Sequence, residues 1–581
     1  MKVRLYLLLA VSLVWFGGLA VRLYQLQVVE HDHYVERAAN QQRSELVLTP
    51  PRGTIYDVRG RELAMSLEAS SAYADPSAID DPQEAARLLA PVVGRDSKRL
   101  ARDLAKTNTS FVWVQRQMDT DLEARVRDLD VEGVGFTRES KRSYPQGPLA
   151  ASVIGFTGVD PKGLAGVELA YEEVVAGEEV RRPILRDARR GKALYDSFSL
   201  PEAAPGADLH LTIDSSIQHV AERELAAAIE REGAAGGSLV MLDPRNGAVL
   251  AMASYPGFDP NEYGRAKPER RRNIPIQNIY EPGSTFKLIT AAAALEAGVV
   301  NPLDRFDCGN GGINFKGKYI RDHKAFDNLS FSEVIAYSSN VGAINLGVRV
   351  GEARLHQKIL DFGFGAKTGI DLSGEQSGLA HAVEKWNKRS IAYISFGQGI
   401  SVTPLQLTNA FAAIANGGTL YRPYVVAGID HGSGIEAPPG PEVLGQPISA
   451  TTSRTLVRML EMVVADERGT GKQAAVPGYR VAGKTGTAEK PAAGGYAEGK
   501  YIASFVGFAP ARDPALVALV VIDEPGGPRY HGGDLPASIF SKVVRHALLR
   551  LGIPRDLPPV DVSRTAARSI DQIPTASAVA P

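Results

Sequence analysis

Hydrophobic and polar positions divide the chain into an apolar head, a first region of short strand-like runs, and a second region of longer helical and strand patterns. The head, Leu5 to Val21, is uncharged and mostly apolar, bracketed by Arg4 and Arg22. It is slightly short of the ~20 residues that cross hydrocarbon. Leu23 to Val29 prolongs it, Tyr24 suits the interface, and both arginines can snorkel. The pattern predicts a retained membrane anchor within residues 1–29, with Lys2 and Arg4 on the cytoplasmic side and the rest of the chain outside. A cleaved signal is the competing reading, because Gly18-Leu19-Ala20 offers small residues at suitable spacing. Either way the body is exported, and no second apolar run of this kind follows.

From about residue 30 to 205, short strand-like runs alternate with turns around one helical pattern, Asp81 to Val93. A junction rich in Pro, Gly and Ala, PEAAPGADLHLTID, marks a boundary near residue 205. Beyond it, Ile217 to Glu232 reads as an amphipathic helix. GGSLVMLDPRNGAVLAMAS reads as two strands joined by a turn at Asp243 to Gly247, and YIASFVGFAP and ALVALVVIDEP as two more around Asp513-Pro514. Residues 554–581, rich in Pro, Ala and Ser, are expected to be disordered.

At 581 residues the chain is too long for a single core. A net charge of −1 gives no overall field for nucleic acid. The basic runs Arg265 to Arg272 and Arg186 to Lys192 read as solvated loops. Cys308 is the single cysteine, so no intrachain disulfide forms. Asp322-His323, with Asp307 and Cys308 upstream, lack zinc-ligand spacing and read as polar loop residues. Asp523 and Glu524, read as neighbours on a strand, should face opposite ways.

The candidate chemistry begins in EPGSTFKLITAAAALEAG, Glu281 to Gly298, a helix apolar almost all round except for Lys287. Ser284 falls near its amino end, where N–H groups are unpaired and the dipole is positive. The i, i+3 spacing puts Ser284 and Lys287 on one face. Burial should hold the Lys287 pKa below its solution value, and a neutral amine can deprotonate a neighbouring hydroxyl. A capping serine beside a snorkelling lysine explains this stretch equally well taken alone. Two later stretches add weight. LSFSEVIAYSSNVGAINLG holds a capping box, Ser330 with Glu333, leading to Ser338-Ser339-Asn340. GYRVAGKTGTAEK sets Lys484-Thr485-Gly486-Thr487 on a β-patterned segment, where Gly486 permits close backbone approach and a cation with two hydroxyls can meet an anion.

S-x-x-K, S-x-N and K-T-G, each once and in that order, make the sequence resemble the class B penicillin-binding proteins. The likeness covers most of the chain, including RGTIYDVRG, LTIDSSIQ, VLAMASYPGFDPN and SFGQGISVTPLQLTNAFAAIANGG. EPGSTFK with SSNVG is more similar to division-specific members than to elongation-specific ones. Asp57-Val58-Arg59-Gly60 departs from the family's usual Asp-Arg-Asn-Gly.

The resemblance implies an α+β fold: a single membrane helix in 1–29, an elongated pedestal of the penicillin-binding protein dimerisation type in 30–205, and a transpeptidase domain in 206–553 with an antiparallel sheet flanked by helices. It implies peptidoglycan D,D-transpeptidation with no metal or organic cofactor. Ser284 would be the nucleophile and Lys287 the general base. Ser338 would relay a proton and Asn340 hold a substrate amide. Lys484 would supply positive potential, and Thr485 and Thr487, around Gly486, would bind the substrate carboxylate. The N–H groups of Ser284 and Thr487 would form the oxyanion hole. Implied partners are stem peptides ending in D-Ala-D-Ala, β-lactams as covalent inhibitors, the cytoplasmic membrane, a polytopic glycosyltransferase and other division proteins, with no nucleic acid. His531, ahead of Gly532-Gly533, resembles a family loop near the site and is given no direct chemistry. The alternatives are an elongation-specific enzyme, an anchored β-lactamase, which nitrocefin turnover would reveal, and a penicillin-sensing scaffold.

Overall fold

In the computed structural model the described residues are 2–34, 43–48, 50–106, 109, 111–178, 180–186, 193–194, 204–436, 440–492, 495–527 and 531–558. Most of the basic run ending at Lys192 and most of the expected disordered tail lie outside them. The chain forms two compact units, Met1–Arg52 with Ala176–Gly206, and Gly53–Val175 with Ala207–Pro581.

In the first unit, a helix at Lys2–Tyr24 runs on through one π-turn at Gln25–Val29. An 18-residue stretch within Lys2–Val29 has a mean hydropathy of 1.9, and no side chain of the helix is buried by protein. Among the described residues it is the one helix long and apolar enough to cross a membrane. Its internal hydrogen bonds leave no backbone group to be satisfied by lipid. Arg43–Leu48 pairs antiparallel with Val180–Arg186, which pairs with Ala193–Leu194.

The second unit holds two larger sheets. In the first, β1 (Ile55–Tyr56) and the long β2 (Glu62–Ala74) precede helices α1 (Pro82–Val93) and α2 (Ser97–Leu104), then β3 (Val112–Met118) and β4 (Val134–Ser143). α1 starts and stops where its sequence directs. Asp81 accepts from the Gln83 and Glu84 N–H groups, Pro82 opens the first turn, and Gly94 closes the helix at φ 67°. β3 and β4 both pair antiparallel with β2. α1 and α2 bury one face of this sheet through Ala72, Ala74, Val114, Leu89 and Leu100. The expected junction near residue 205 is bridged, because β5 (Asp208–Leu211) pairs parallel with β1 and antiparallel with Val426–Asp430, completing seven strands. The altered Asp57 turn stays intact, its carboxylate accepting from the N–H groups of Arg59 and Arg61 and from the Ser215 hydroxyl at 2.6 Å.

Next come α3 (Ser215–Glu232), β6 (Gly236–Leu242), β7 (Val249–Tyr255), α4 (Lys287–Glu296), α5 (Asn340–Val350) and α6 (Pro404–Ala415), then β8 (Ala482–Ala492), β9 (Gly495–Ala509), β10 (Leu516–Asp523) and α7 (Leu535–Arg550). The second sheet runs β7-β6-β10-β9-β8, antiparallel throughout. Leu239, Met241, Val520 and Ile522 pack in one cluster with α3 and α7 residues. Their neighbours Val240, Leu242, Leu519 and Val521 join the cluster that holds α4 and α6. With both faces covered, the strands read as continuous apolar runs instead of alternating ones. The edge strand β8 carries the K-T-G motif.

Two expectations need correction. Glu524 follows the end of β10 with φ 48°, so it turns back, and Lys490 Nζ donates to both Asp523 (2.9 Å) and Glu524 (2.8 Å). The two carboxylates converge and do not face apart. The chain also stays fastened past residue 553. Tyr479 donates to Ile553 O at 2.7 Å, and the Arg480 N–H donates to Asp556 at 2.8 Å.

Candidate active site

Ser284 lies in a 3-10 turn, Gly283–Phe286, that feeds α4. In α4 every residue from Lys287 to Ala294 is buried, so the helix has no polar face to give water. Two glycines let other segments close on the turn. Gly283, at φ 56°, donates its N–H to Gly397 O at 3.0 Å, and a Cβ on Gly397 would overlap Gly283 O. A Cβ on Gly486 would lie 2.9 Å from Thr285 Cγ2 and 3.0 Å from Pro282 O. Glycine at 486 is what allows β8 to run against the Ser284 turn.

The S-x-N segment is shaped by its flanking residues. Ser339 caps α5, accepting from the Gly342 N–H at 3.0 Å. Ser338, just before it, has φ 64°. A non-glycine residue in that conformation costs on the order of 1–3 kcal/mol and persists only where its surroundings hold it. Here Lys287 Nζ donates to Ser338 O at 2.6 Å, and the Ser339 N–H donates to Val334 O at 3.0 Å. Asp322 holds the next three residues, accepting from the Ser339 hydroxyl at 2.7 Å, the Val341 N–H at 3.1 Å and the Asn340 N–H.

At the centre one hydroxyl faces two amines. Ser338 Oγ accepts from Lys484 Nζ at 2.9 Å and from Lys287 Nζ at 3.2 Å. Both lysines are wholly buried. Burial pushes the Lys287 pKa down to about 7, against a smaller opposing pull from Asp322. Lys484 is held well below the usual lysine range by burial and by the proximity of Lys287. Two like charges this close and this dry disfavour one another, which holds down the charged form of each amine.

Around this centre, Thr485 Oγ1 lies 2.9 Å from Thr470 Oγ1, and Thr487 Oγ1 accepts from the Gly532 N–H at 3.1 Å. That acceptance leaves the Thr487 hydroxyl proton available to an anion. His323 edges the site with its pKa pushed down to about 4 by partial burial and then by Lys287 and Lys484. It is therefore neutral near pH 7. Among the described residues, no three His, Cys, Asp or Glu side chains are grouped to hold a metal.

The structure thus gathers Lys287, Ser338, Lys484, Thr485 and Thr487 with the Ser284 turn. Two details differ from the simplest sequence picture. The Ser284 hydroxyl makes no hydrogen bond to Lys287, whose ammonium is turned to Ser338, and Ser284 is only partly covered. Asn340 donates its side-chain amide to Arg321 O at 2.8 Å. Thr470 and Gly397 carry no motif of their own in the sequence, and Asp322, expected as a polar loop residue, proves to hold the start of α5. Asp322 lies sixteen residues before Ser338, and no motif joins the two. Gly397 had a visible signal in SFGQG, where both glycines adopt positive φ.

A family model described as penicillin binding protein transpeptidase domain matches residues 237–545, and one described as penicillin-binding protein dimerisation domain matches 47–211. The chain is 37% identical to stage V sporulation protein D of Bacillus subtilis, over 95% of this chain and 86% of that one. It is 34% identical to the peptidoglycan D,D-transpeptidase FtsI of Escherichia coli, over 95% and 92% respectively. Penicillin binding protein 3 of Mycobacterium tuberculosis, solved with aztreonam, superposes at TM-score 0.68 with 28% identity, covering 89% of this chain and 99% of that one. By sequence, fold and the order of its three motifs, the chain belongs to the class B penicillin-binding protein family.

Proposed function

We propose that the protein is a septal peptidoglycan D,D-transpeptidase working through an acyl-enzyme on Ser284. The observation that carries this reading is the single hydroxyl of Ser338 bridging two buried lysines beside the Ser284 turn. In the proposed cycle, Ser284 Oγ attacks the carbonyl between the two D-alanines of a stem peptide, and neutral Lys287 takes the proton. The N–H groups of Ser284 and Thr487 hold the oxyanion, worth about 2.7–4 kcal/mol per donor. The C–N bond then breaks, and the departing D-alanine amine receives a proton through Ser338. Lys484, Thr485 and Thr487 hold the terminal carboxylate, and Asn340 a substrate amide. An amine of a neighbouring strand attacks the ester, Lys287 takes its proton, and the cross-link forms as Ser284 is released. β-Lactams present the same carbonyl without a diffusible leaving group and stall the cycle at the ester.

Ser284→Ala is expected to abolish labelling by a fluorescent penicillin while leaving the thermal unfolding curve unchanged. Full-stoichiometry labelling of that variant would remove Ser284 from the role.

The septal assignment rests on likeness to FtsI and stage V sporulation protein D. The single apolar helix fits a single-pass membrane protein. In our reading it leaves the amino terminus cytoplasmic and the catalytic domain outside, and residues 30–205 form a pedestal that meets a polytopic glycosyltransferase. A fluorescent fusion is expected at midcell in dividing cells. Signal spread along the side wall would favour the elongation-specific alternative.

A further inference from the structure

At the β3 end of the first sheet of the second unit, α1 and α2 cover one face. Ala72, Ala74 and Val114 point to α1 and α2. Their neighbours Tyr73, Phe111 and Trp113 point the other way and gather there, far along the chain from the catalytic motifs. Tyr73 stacks on Phe111 with ring centroids 5.0 Å apart, and Phe111 meets Trp113 edge-on at 4.7 Å. The Tyr73 ring lies across β4 at Gly135, its cross-strand partner, where any Cβ would collide with it. A bare backbone at that point lets the ring lie flat on the sheet. Phe111 remains 43% exposed at the open end. Cross-strand aromatic pairs can serve sheet stability alone, but such pairs gain most on a buried face, and this face is open. Along the outer edge of β3 runs a groove of about 840 Å³, lined by Phe111, Trp113, Gln115 and Arg116 and, from the helix side, by Arg95 and Val114 among others, a size that suits a ligand of several rings.

Charge selects the ligand class. Among the described residues, each cation lining the groove has a carboxylate partner, Arg95 and Lys106 sharing one. Arg95 (3.1 Å) and Lys106 (2.8 Å) pair with Asp103, and Arg116 pairs with both Glu139 and Asp160 at 2.7 Å. Arg116 also lies over the Trp113 ring, 4.8 Å from its centroid. Three cations meet three carboxylates there, so no net charge is offered to a phosphate, a lipid headgroup or an acidic peptide. What remains is an aromatic shelf rimmed by amides and neutralised ion pairs, donors and acceptors together. That combination matches a neutral, hydroxyl-rich chain of rings with apolar C–H faces.

We propose that this face is a glycan-binding platform that takes the sugar backbone of peptidoglycan, a β-1,4-linked N-acetylhexosamine chain, apart from the peptide-binding active site. The proposal rests on the transpeptidase reading only for where such a polymer would be met.

The test uses full-length protein in detergent micelles, first acylated with penicillin to close the active site, and titrated with N-acetylglucosamine tetrasaccharide by isothermal calorimetry. Saturable binding is expected, weakened at least about tenfold in Trp113→Ala and in Phe111→Ser. Phe111→Ser alters a side chain already open to water and guards against misfolding of the first variant. Fluorescent penicillin labelling of unacylated samples should match wild type in both variants. No saturable binding by wild type, or equal binding by the Phe111→Ser variant, overturns the platform while intact labelling leaves the enzyme reading standing. Loss of labelling in wild type would instead strike the enzyme reading.

Discussion

Replacing Lys287 by alanine is expected to slow acylation of Ser284 by about 10²–10⁴-fold, the usual worth of a positioned general base. To act this way the lysine must be a base at working pH. In water a lysine holds its proton to pH ~10.4 and could not serve. Wholly buried and brought down to about 7, Lys287 is substantially neutral near neutrality. The sign follows directly. In the proposed cycle the neutral form is the active one, so the wild-type acylation rate is expected to rise with pH, with half its maximum near 7. Below that the amine is protonated and the rate falls. Stopped-flow acylation by a fluorescent penicillin between about pH 5.5 and 8.5 reads this limb. Lys484 is the competitor, since it touches the same hydroxyl. If Lys484 were the base, Lys287→Ala would keep the limb and lose little rate. A flat profile in wild type would dismiss both amines. Lys287→Arg is no conservative exchange, because a guanidinium stays charged where this amine must not.

Much of this arrangement was legible before any coordinates. The i, i+3 pair on an apolar helix announced a buried amine near a serine, and the strand-like runs on either side of Asp243 to Gly247 and of Asp513-Pro514 announced four strands of the second sheet. The capping box of Ser330 with Glu333 starts a helix in the fold as its spacing predicts, because its bonds are local. What stayed hidden was long-range. The convergence of Lys287 and Lys484 on Ser338 joins residues 51 and 146 positions apart in sequence from that serine. The bridging of the expected junction at 205 likewise comes from β5 choosing a parallel partner some 150 residues back, a choice no local propensity records. Glu524 was misread for a smaller reason. A left-handed residue just after a strand breaks the alternation, and glutamate gives no warning of it.

Asp322 is the most consequential of the residues that sequence alone left as polar loop. Its carboxylate accepts from the Ser339 hydroxyl and from the N–H groups of Asn340 and Val341 at the start of α5, where unpaired donors and the helix dipole both favour negative charge. Asp322→Ala strips those donors at once. Leaving them unmatched costs ~1–3 kcal/mol, read as a lowered Tm. The larger effect is on chemistry. Ser338 sits one residue before this anchor in a conformation it would not choose, and a displacement of ~1 Å can cost about 10² in rate. Acylation is therefore expected to fall about a hundredfold. A structural role alone predicts no more than that. But Asp322 also raises the Lys287 pKa against the pull of burial. Removing its charge should carry the acid limb of the rate profile to lower pH, in the direction opposite to a general loss of packing that lets water in. Asp322→Asn separates the two contributions. It keeps one oxygen for the Asn340 and Val341 N–H groups and loses only the charge, so the limb should shift as in the alanine variant while most of the rate survives. If both variants lose rate with the limb fixed near 7, Asp322 is a brace for the Ser338 turn and does nothing to the amine.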